Sequence, residues 1–427
     1  VPDPAGQARA IFLAALEAVE PGRLVRQALA LEGGGLFCGG RRFDLSPKAR
    51  VVVVGAGKAA AAMASAVEAL LGERVSSGLI LAVEGTQRPL SRLGCLSCAH
   101  PAPDERAVEG TRRLLEAVSG LSPDDLVIAL WSGGGSSCLG LPVDGVSREE
   151  VSEATRLLLA NHFQIQQVNQ VRRVCLQAAD GGVARAASPA RVLALVLCDA
   201  AMADVASGPT MPGAFALDGV ISGLRNWGVW EKLPGSVRAH LASLEGKDLR
   251  KGMDAAFRKR VYHVSVGDGL AAAEAALRKA RELGYEAEVA DQPLQWEARM
   301  AGTLLGRQLK ALGSGHVLVA PGETTVAVKG QGRGGRNQEL ALAAALELAG
   351  EAGVALLSAG TDGVDGSSDA AGAVVTGETC AKKGDAAAAR KALEDNDSHA
   401  FFLNRPERLV TGPTGTNVAD LVVAVRG

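Results

Sequence analysis

The sequence predicts an α/β fold arranged as two α/β domains, and three observations carry that prediction. Apolar, β-branched runs alternate with helix-forming stretches, as strands do when helical crossovers join them. The alternation weakens around residues 226–256, where Pro234-Gly235 and a charged stretch from Glu245 to Lys251 interrupt it, and then resumes. The chain has 427 residues, room for two to three domains of about 150 residues each. The expected division is 1–250 and 251–427.

In the first half, four valines at 51–54 lead into Gly55-Ala56-Gly57-Lys58 and an Ala-rich stretch ending at Leu71, the pattern of a buried strand, a glycine turn and a helix. Strands follow at 78–83, 126–131 and 192–197, with helices at 104–118 and 147–160, which predicts a mostly parallel sheet. The second half repeats the alternation. Strands are expected at 262–266, 287–290, 316–320, 324–329, 354–357 and 421–425, and helices at 270–283, 298–312 and 337–348. No fixed-period repeat is present, which excludes a solenoid.

Composition narrows the function classes. Lys and Arg number 45 against 47 Asp and Glu, without a basic block, so nucleic acid is not an expected partner. The apolar runs are far too short for a bilayer span, and no signal-peptide pattern opens the chain, so a cytoplasmic protein without membrane contact is expected. Seven scattered cysteines do not form a disulfide framework and fit a reducing compartment. Glycine is abundant, 53 residues, and it is concentrated in short clusters of the kind that bind ligands.

The first cluster, Gly55-Ala56-Gly57-Lys58-Ala59-Ala60, reads in two ways. It is a G-x-G-x-x-A dinucleotide fingerprint with Glu84 as the ribose acid, or a glycine turn whose lysine and free N–H groups attract phosphate. It lacks the spacer and the hydroxyl of a Walker A loop. The second, Ser132-Gly133-Gly134-Gly135-Ser136, follows a strand and offers bare N–H groups and hydroxyls as an anion cradle. The third, residues 330–339, places Arg333 and Arg336 at a helix start, where the dipole opposes them and a bound anion would offset the cost. In the fourth, residues 358–372, Asp362, Asp365 and Asp369 could supply oxygens to a hard cation. The last, residues 411–417, offers hydroxyls and an amide, among them Thr414 and Asn417. Cys95-x-x-Cys98 near His100 lacks the second pair of ligands that a zinc site needs.

Taken together, these residues resemble the glycerate 2-kinase family, whose C-terminal portion is the MOFRL domain and whose members also carry the label hydroxypyruvate reductase. The resemblance rests on Gly57-Lys58-Ala59, His100-Pro101 with Pro103-Asp104-Glu105, Ser132 to Ser136, Asn169 with Val171-Arg172, and Ala206-Ser207-Gly208-Pro209-Thr210. In the second half it rests on residues 332–339, 360–372 and 412–420. It implies an N-terminal Rossmann-like domain, a C-terminal MOFRL α/β domain and an active site in the cleft between them. The implied reaction moves the γ-phosphoryl group of ATP to the 2-hydroxyl of D-glycerate with Mg2+, in a chain compatible with a homodimer.

The resemblance also implies roles. Lys58 and Arg336 stabilise phosphoryl oxygens or the glycerate carboxylate, and Asp199 orients the hydroxyl or holds the metal. ATP and its phosphates fall to Gly55, Gly57, Ser132, Gly133, Gly134, Gly135, Ser136, Gly334, Gly335 and Asn337. Substrate or metal falls to Asp362, Asp365, Thr414 and Asn417. Lys58→Ala and Arg336→Ala are each expected to abolish most turnover with the fold intact. The alternatives are an NAD(P)H-dependent hydroxypyruvate reductase, or a divergent paralogue acting on another hydroxy acid. The second draws on the loop from Ala200 to Asp204, which is shorter and more apolar than the family pattern.

Overall fold

A computed structural model describes residues 3–213, 217–248 and 255–427. They form two compact units: Pro21–Val266, and Gly267–Gly427 together with the N-terminal segment through Glu20. The boundary expected at 250/251 lies outside the described residues.

The first unit opens with β1 (Leu29–Glu32), β2 (Gly35–Cys38) and β3 (Arg41–Asp44), a three-stranded antiparallel sheet that periodicity did not reveal. Its main sheet contains β4 (Val51–Gly57), β5 (Val75–Val83), β6 (Gly94–Cys98), β7 (Leu126–Trp131), β8 (Arg191–Cys198) and β9 (Val261–Asp268). The order is β6-β5-β4-β7-β8-β9, and β6 through β8 pair in parallel. A strand with neighbours on both edges and cover on both faces needs apolar residues throughout, and all seven residues of β4 are buried.

The helices of this unit start where their caps dictate. Ser147 and Glu150 form a capping box at the head of Arg148–Ala160, and the Asp104 carboxylate accepts from Ala107 N–H at 3.2 Å to open Glu105–Val118. The strand expected at 262–266 is β9, the edge strand of this sheet, and belongs to the first unit instead of the second.

The second unit holds β10 (Glu286–Val289), β11 (His316–Gly322), β12 (Val354–Gly360), β13 (Gly372–Thr376), β14 (Arg408–Leu409) and β15 (Asp420–Arg426), in the order β10-β11-β15-β12-β13-β14. Only β10 and β11 pair in parallel; the remaining pairs are antiparallel, so this α/β sheet is mixed. The helix Pro4–Ala18 packs on β12, β15 and the helix Gly269–Glu282. Its Ala8, Ile11, Phe12 and Ala15 are fully buried, which is why the N-terminal segment joins the C-terminal half.

The helix Arg336–Glu347 lies close against Ala298–Ala311 because Gly302 and Gly306 remove side chains one turn apart. A Cβ on Gly302 would stand 2.1 Å from the Leu340 carbonyl oxygen. The strand expected at 324–329 does not form. Thr325 bridges singly to Glu297, its N–H donates to Trp296 O at 3.0 Å, and Lys329 N–H donates to Asn396 Oδ1 at 2.7 Å. The N–H groups that a ladder would use are spent on loops.

Candidate active site

In the main sheet of the first unit, β5 and β6 lie on one side of β4 while β7 and β8 lie on the other. The carboxyl ends of β4 and β7 flank this reversal of strand order, the place where open α/β sheets leave a crevice for ligands. Lys58 directly follows β4, and the loop from Ser132 to Ser136 directly follows β7.

The two segments are tied together through their backbones. Lys58 N–H donates to Gly133 O at 2.9 Å, Ser132 N–H to Ala56 O at 3.2 Å, and Ala59 N–H to Ser132 Oγ at 3.0 Å. Ser132 is fully buried, so its hydroxyl holds the loop to the start of the helix Ala60–Leu71 instead of facing solvent. Gly57 has φ +121, and a Cβ there would lie 2.4 Å from Ser132 O. Gly55 sits inside β4, where a Cβ would meet Leu130 O at 2.7 Å, and a Cβ on Gly135 would strike Ala206 Cβ at 2.5 Å. These three glycines let strands and loops approach one another.

Gly134 differs: its φ of +81 suits glycine, and it is partly exposed, as are Ser136 and Lys58. Ser136 Oγ lies 2.8 Å from Ser207 Oγ, which joins the loop to the Ala206 to Thr210 turn. Thr210 Oγ1 in turn accepts from Trp131 Nε1 at 3.0 Å. Among the described residues the N–H groups of Gly133, Gly134 and Ser136 have no acceptor. They remain available to an anion. Asp199 directly follows β8 and is half-buried, and the neighbouring loop is anchored by buried Arg173, which donates to Ala203 O at 2.8 Å and Asp204 Oδ1 at 2.7 Å.

The second unit gathers its predicted residues at one end of its sheet. Asp420 pairs in register with Gly322 on one side and Gly360 on the other. Arg336 reaches it from the first turn of its helix, Nε to Oδ2 at 2.5 Å and Nη2 to Oδ1 at 2.9 Å, and Nη1 lies 2.8 Å from Glu323 Oε1. Burial alone would lower the guanidinium's pKa, yet Asp420, Glu323 and Asp365 together hold it above the usual value. Burial pushes the Asp420 carboxyl upward against the pull of Arg336, with Asp362 adding to the rise.

Asp365 fills the helix start. Its oxygens accept from Asn337 N–H at 2.9 Å and Gln338 N–H at 2.8 Å, and burial, with Asp420 nearby, raises its pKa to about 6 despite those bonds. The anion expected to offset the arginine at this helix start is therefore supplied by the chain itself. Asn337 Oδ1 accepts from Ser358 Oγ at 2.7 Å. Thr414 Oγ1 donates to Thr361 O at 2.5 Å, Asn417 is buried, and Asp362 Oδ1 accepts from Val364 N–H at 3.0 Å.

The glycines before this helix are accounted for in the same way. A Cβ on Gly330 would lie 2.2 Å from Asp395 O, on Gly334 2.2 Å from Ser398 Oγ, and on Gly335 2.3 Å from Asp365 Oδ1. The N–H groups of residues 329–333 are already bonded. Asn396 Oδ1 accepts from Lys329 and Gly330, Asp395 Oδ1 from Gln331 at 3.1 Å, Asp395 O from Gly332 at 2.9 Å, and Asp397 Oδ1 from Arg333 at 3.0 Å. Sequence reasoning missed this Asp395-Asn396-Asp397 brace, although a run of Asx residues is a known source of acceptors for backbone N–H groups. Asn396 Nδ2 also donates to the buried Glu339 carboxylate at 3.2 Å, and Glu339 in turn accepts from Arg299.

Among the described residues no group of three or more His, Cys, Asp or Glu side chains is placed to hold a metal ion. Asp365 and Asp420 are committed to N–H groups and a guanidinium. Neither fits a metal ligand set. No helix among the described residues is long and apolar enough to cross a membrane.

Comparison with known proteins bears on both units. Residues 7–242 match the "Domain of unknown function (DUF4147)", and residues 316–420 match the MOFRL family. The chain is 36% identical to the D-glycerate 2-kinase of Thermotoga maritima over 423 residues, covering 96% of this chain and 95% of that one. A crystal structure of glycerate kinase from Thermotoga maritima superposes with a TM-score of 0.83 at 35% identity, over 99% of each chain. A putative hydroxypyruvate reductase of Agrobacterium vitis is 37% identical over 88% of this chain and 87% of its own length. With both profiles matched in order and end-to-end similarity to a solved relative, the chain belongs to the DUF4147 and MOFRL family that includes the glycerate kinases.

Proposed function

We propose that this chain is an ATP-dependent glycerate 2-kinase, transferring the γ-phosphoryl group to the 2-hydroxyl of D-glycerate. The observation that carries the reading is the loop from Ser132 to Ser136, whose open N–H groups lie beside Lys58 at the end of a parallel sheet. In-line transfer forms a bond between the glycerate O2 and the γ-phosphorus and breaks the bond to the β–γ bridging oxygen, so charge builds on the phosphoryl and ADP oxygens. Fixed N–H donors and an ammonium oriented in advance stabilise that charge at little reorganisation cost.

In this reading Gly133, Gly134, Ser136 and Lys58 hold phosphoryl oxygens, and Asp199 orients the attacking hydroxyl and receives its proton. Gly55, Gly57, Ser132 and Gly135 keep the loop in shape. Arg336, with Asn337, Gly334 and Gly335 behind it, presents Nη1 to an anionic group of the substrate in exchange for Glu323. Asp362, Thr414 and Asn417 frame that group. Kinases of this kind take the nucleotide as its magnesium chelate.

The test is ADP release from ATP in the presence of D-glycerate, with the product identified as 2-phosphoglycerate or 3-phosphoglycerate. A parallel reaction with hydroxypyruvate and NADH or NADPH tests the reductase reading, favoured by the name of the Agrobacterium relative. Glycerate-dependent ADP release with 2-phosphoglycerate supports the kinase; nicotinamide oxidation without ADP release replaces it.

A further inference from the structure

His100 follows β6, two strands from β4 in the main sheet, and the proposed chemistry so far leaves it without a role. Its position is fixed by its surroundings. Cys98, fully buried at the end of β6, accepts from Glu84 N–H at 3.0 Å, and Asp104 caps the next helix. The short stretch between two anchored elements carries an exposed imidazole.

The loop after β7 meets that imidazole. A Cβ on Gly134 would lie 3.3 Å from His100 Cδ2, 3.3 Å from Lys58 Cγ and 3.1 Å from Val83 Cγ2. Imidazole and lysine stem therefore flank one face of the glycine whose N–H is open, and both are accessible from outside. An imidazole next to the lysine stem and the open N–H groups brings a ring N–H donor to the neighbourhood where an anionic oxygen would be held. A Cβ at Gly134 would make tight contacts with both side chains in addition to the strain at its φ of +81.

We propose that His100 is a substrate-binding residue, donating a hydrogen bond to the same anionic oxygen group that Lys58 and the Gly134 loop hold. The proposal rests on the kinase reading for its substrate. The shared chemistry is a tetrahedral phosphoryl or a carboxylate, and titrations separate the two.

The variants are His100→Ala and His100→Gln, the second retaining an N–H donor on a side chain of similar reach. Binding of inorganic phosphate, ADP and D-glycerate to each is measured by calorimetry, beside kcat, KM and the unfolding midpoint. The expected result is at least a tenfold loss of phosphate and ADP affinity and of kcat/KM in His100→Ala, partial recovery in His100→Gln, and an unchanged midpoint. A tenfold loss confined to D-glycerate assigns the contact to its carboxylate. Wild-type affinity for all three ligands in His100→Ala overturns the proposal. If the wild type binds phosphate through His100 yet makes no ADP with D-glycerate, the contact stands and the kinase reading falls.

Discussion

The two glycine-rich loops that precede helices look alike in sequence and are used in opposite ways. After β7, the loop of Ser132 to Ser136 leaves the N–H groups of Gly133, Gly134 and Ser136 open beside Lys58. Before the helix Arg336–Glu347, the N–H groups of 329–333 are consumed by Asp395, Asn396 and Asp397, and those of Asn337 and Gln338 by Asp365. Glycine can mark a place where a ligand approaches the backbone or one where another part of the chain does. The number of glycines does not separate the two; the fate of the N–H groups does.

The largest effect that would sharpen this comparison is catalytic. Lys58→Ala removes the ammonium beside the open loop, and kcat/KM for D-glycerate should fall by roughly 10²–10³. Its unfolding free energy should stay within about 0.5 kcal/mol of wild type, as for surface changes. A change in stability without a change in rate would reverse the assignment.

Arg336→Ala should behave differently, contrary to the expectation of an intact fold. Asp420 is 2% exposed, and losing its partner leaves a buried charge, at a cost of about 3–5 kcal/mol in denaturant unfolding. Arg336→Lys keeps the charge while losing the fork, so its rate tests the substrate role in a folded protein.

Asn396→Ala strands the N–H groups of Lys329 and Gly330 and one side of Glu339, and should cost about 2–3 kcal/mol. Loss of activity in this variant should follow loss of folded protein in a thermal scan.

The smallest effect lies at the amino end of β7. Burial would raise the Asp125 carboxyl, but it accepts from Ser122 N–H, Arg50 N–H and the Arg50 guanidinium, which outweigh burial and hold its pKa at about 2. A carboxyl depressed in the folded state adds stability above its unfolded value, so about 2 kcal/mol should be lost as pH falls from about 4 through about 2. Asp125→Asn should abolish that acid limb in denaturant titrations and leave kcat near neutral pH unchanged.

Much of the first unit was legible because its signals are local. The four valines at 51–54 and the apolar run at 126–131 need only a strand buried on both faces, and Asp104 and Ser147 announce their helices. In the second unit the strands at 287–290, 316–320, 354–357 and 421–425 and three helices were legible, but the helix Lys383–Glu394 and β13 were not, nor was the antiparallel pairing of β12 with β15, which lie far apart in sequence. The segment 324–329 has β-forming composition, yet Asn396 takes the Lys329 N–H from far along the chain. That the loop from Ser132 to Ser136 lies beside Lys58 with backbone N–H groups left open was visible in its glycines. That Asp420 holds Arg336 and Asp365 caps its helix was not, since the register pairing Asp420 with Gly322 and Gly360 leaves no mark in the string.

The most direct test of the central claim is backbone amide hydrogen exchange with and without ADP. Exchange should slow at Gly133, Gly134 and Ser136, while residues 329–333, already bonded to Asp395, Asn396 and Asp397, should remain as protected as before. Protection gained at 329–333 with none at 133–136 would contradict the account and return the phosphate to the second loop.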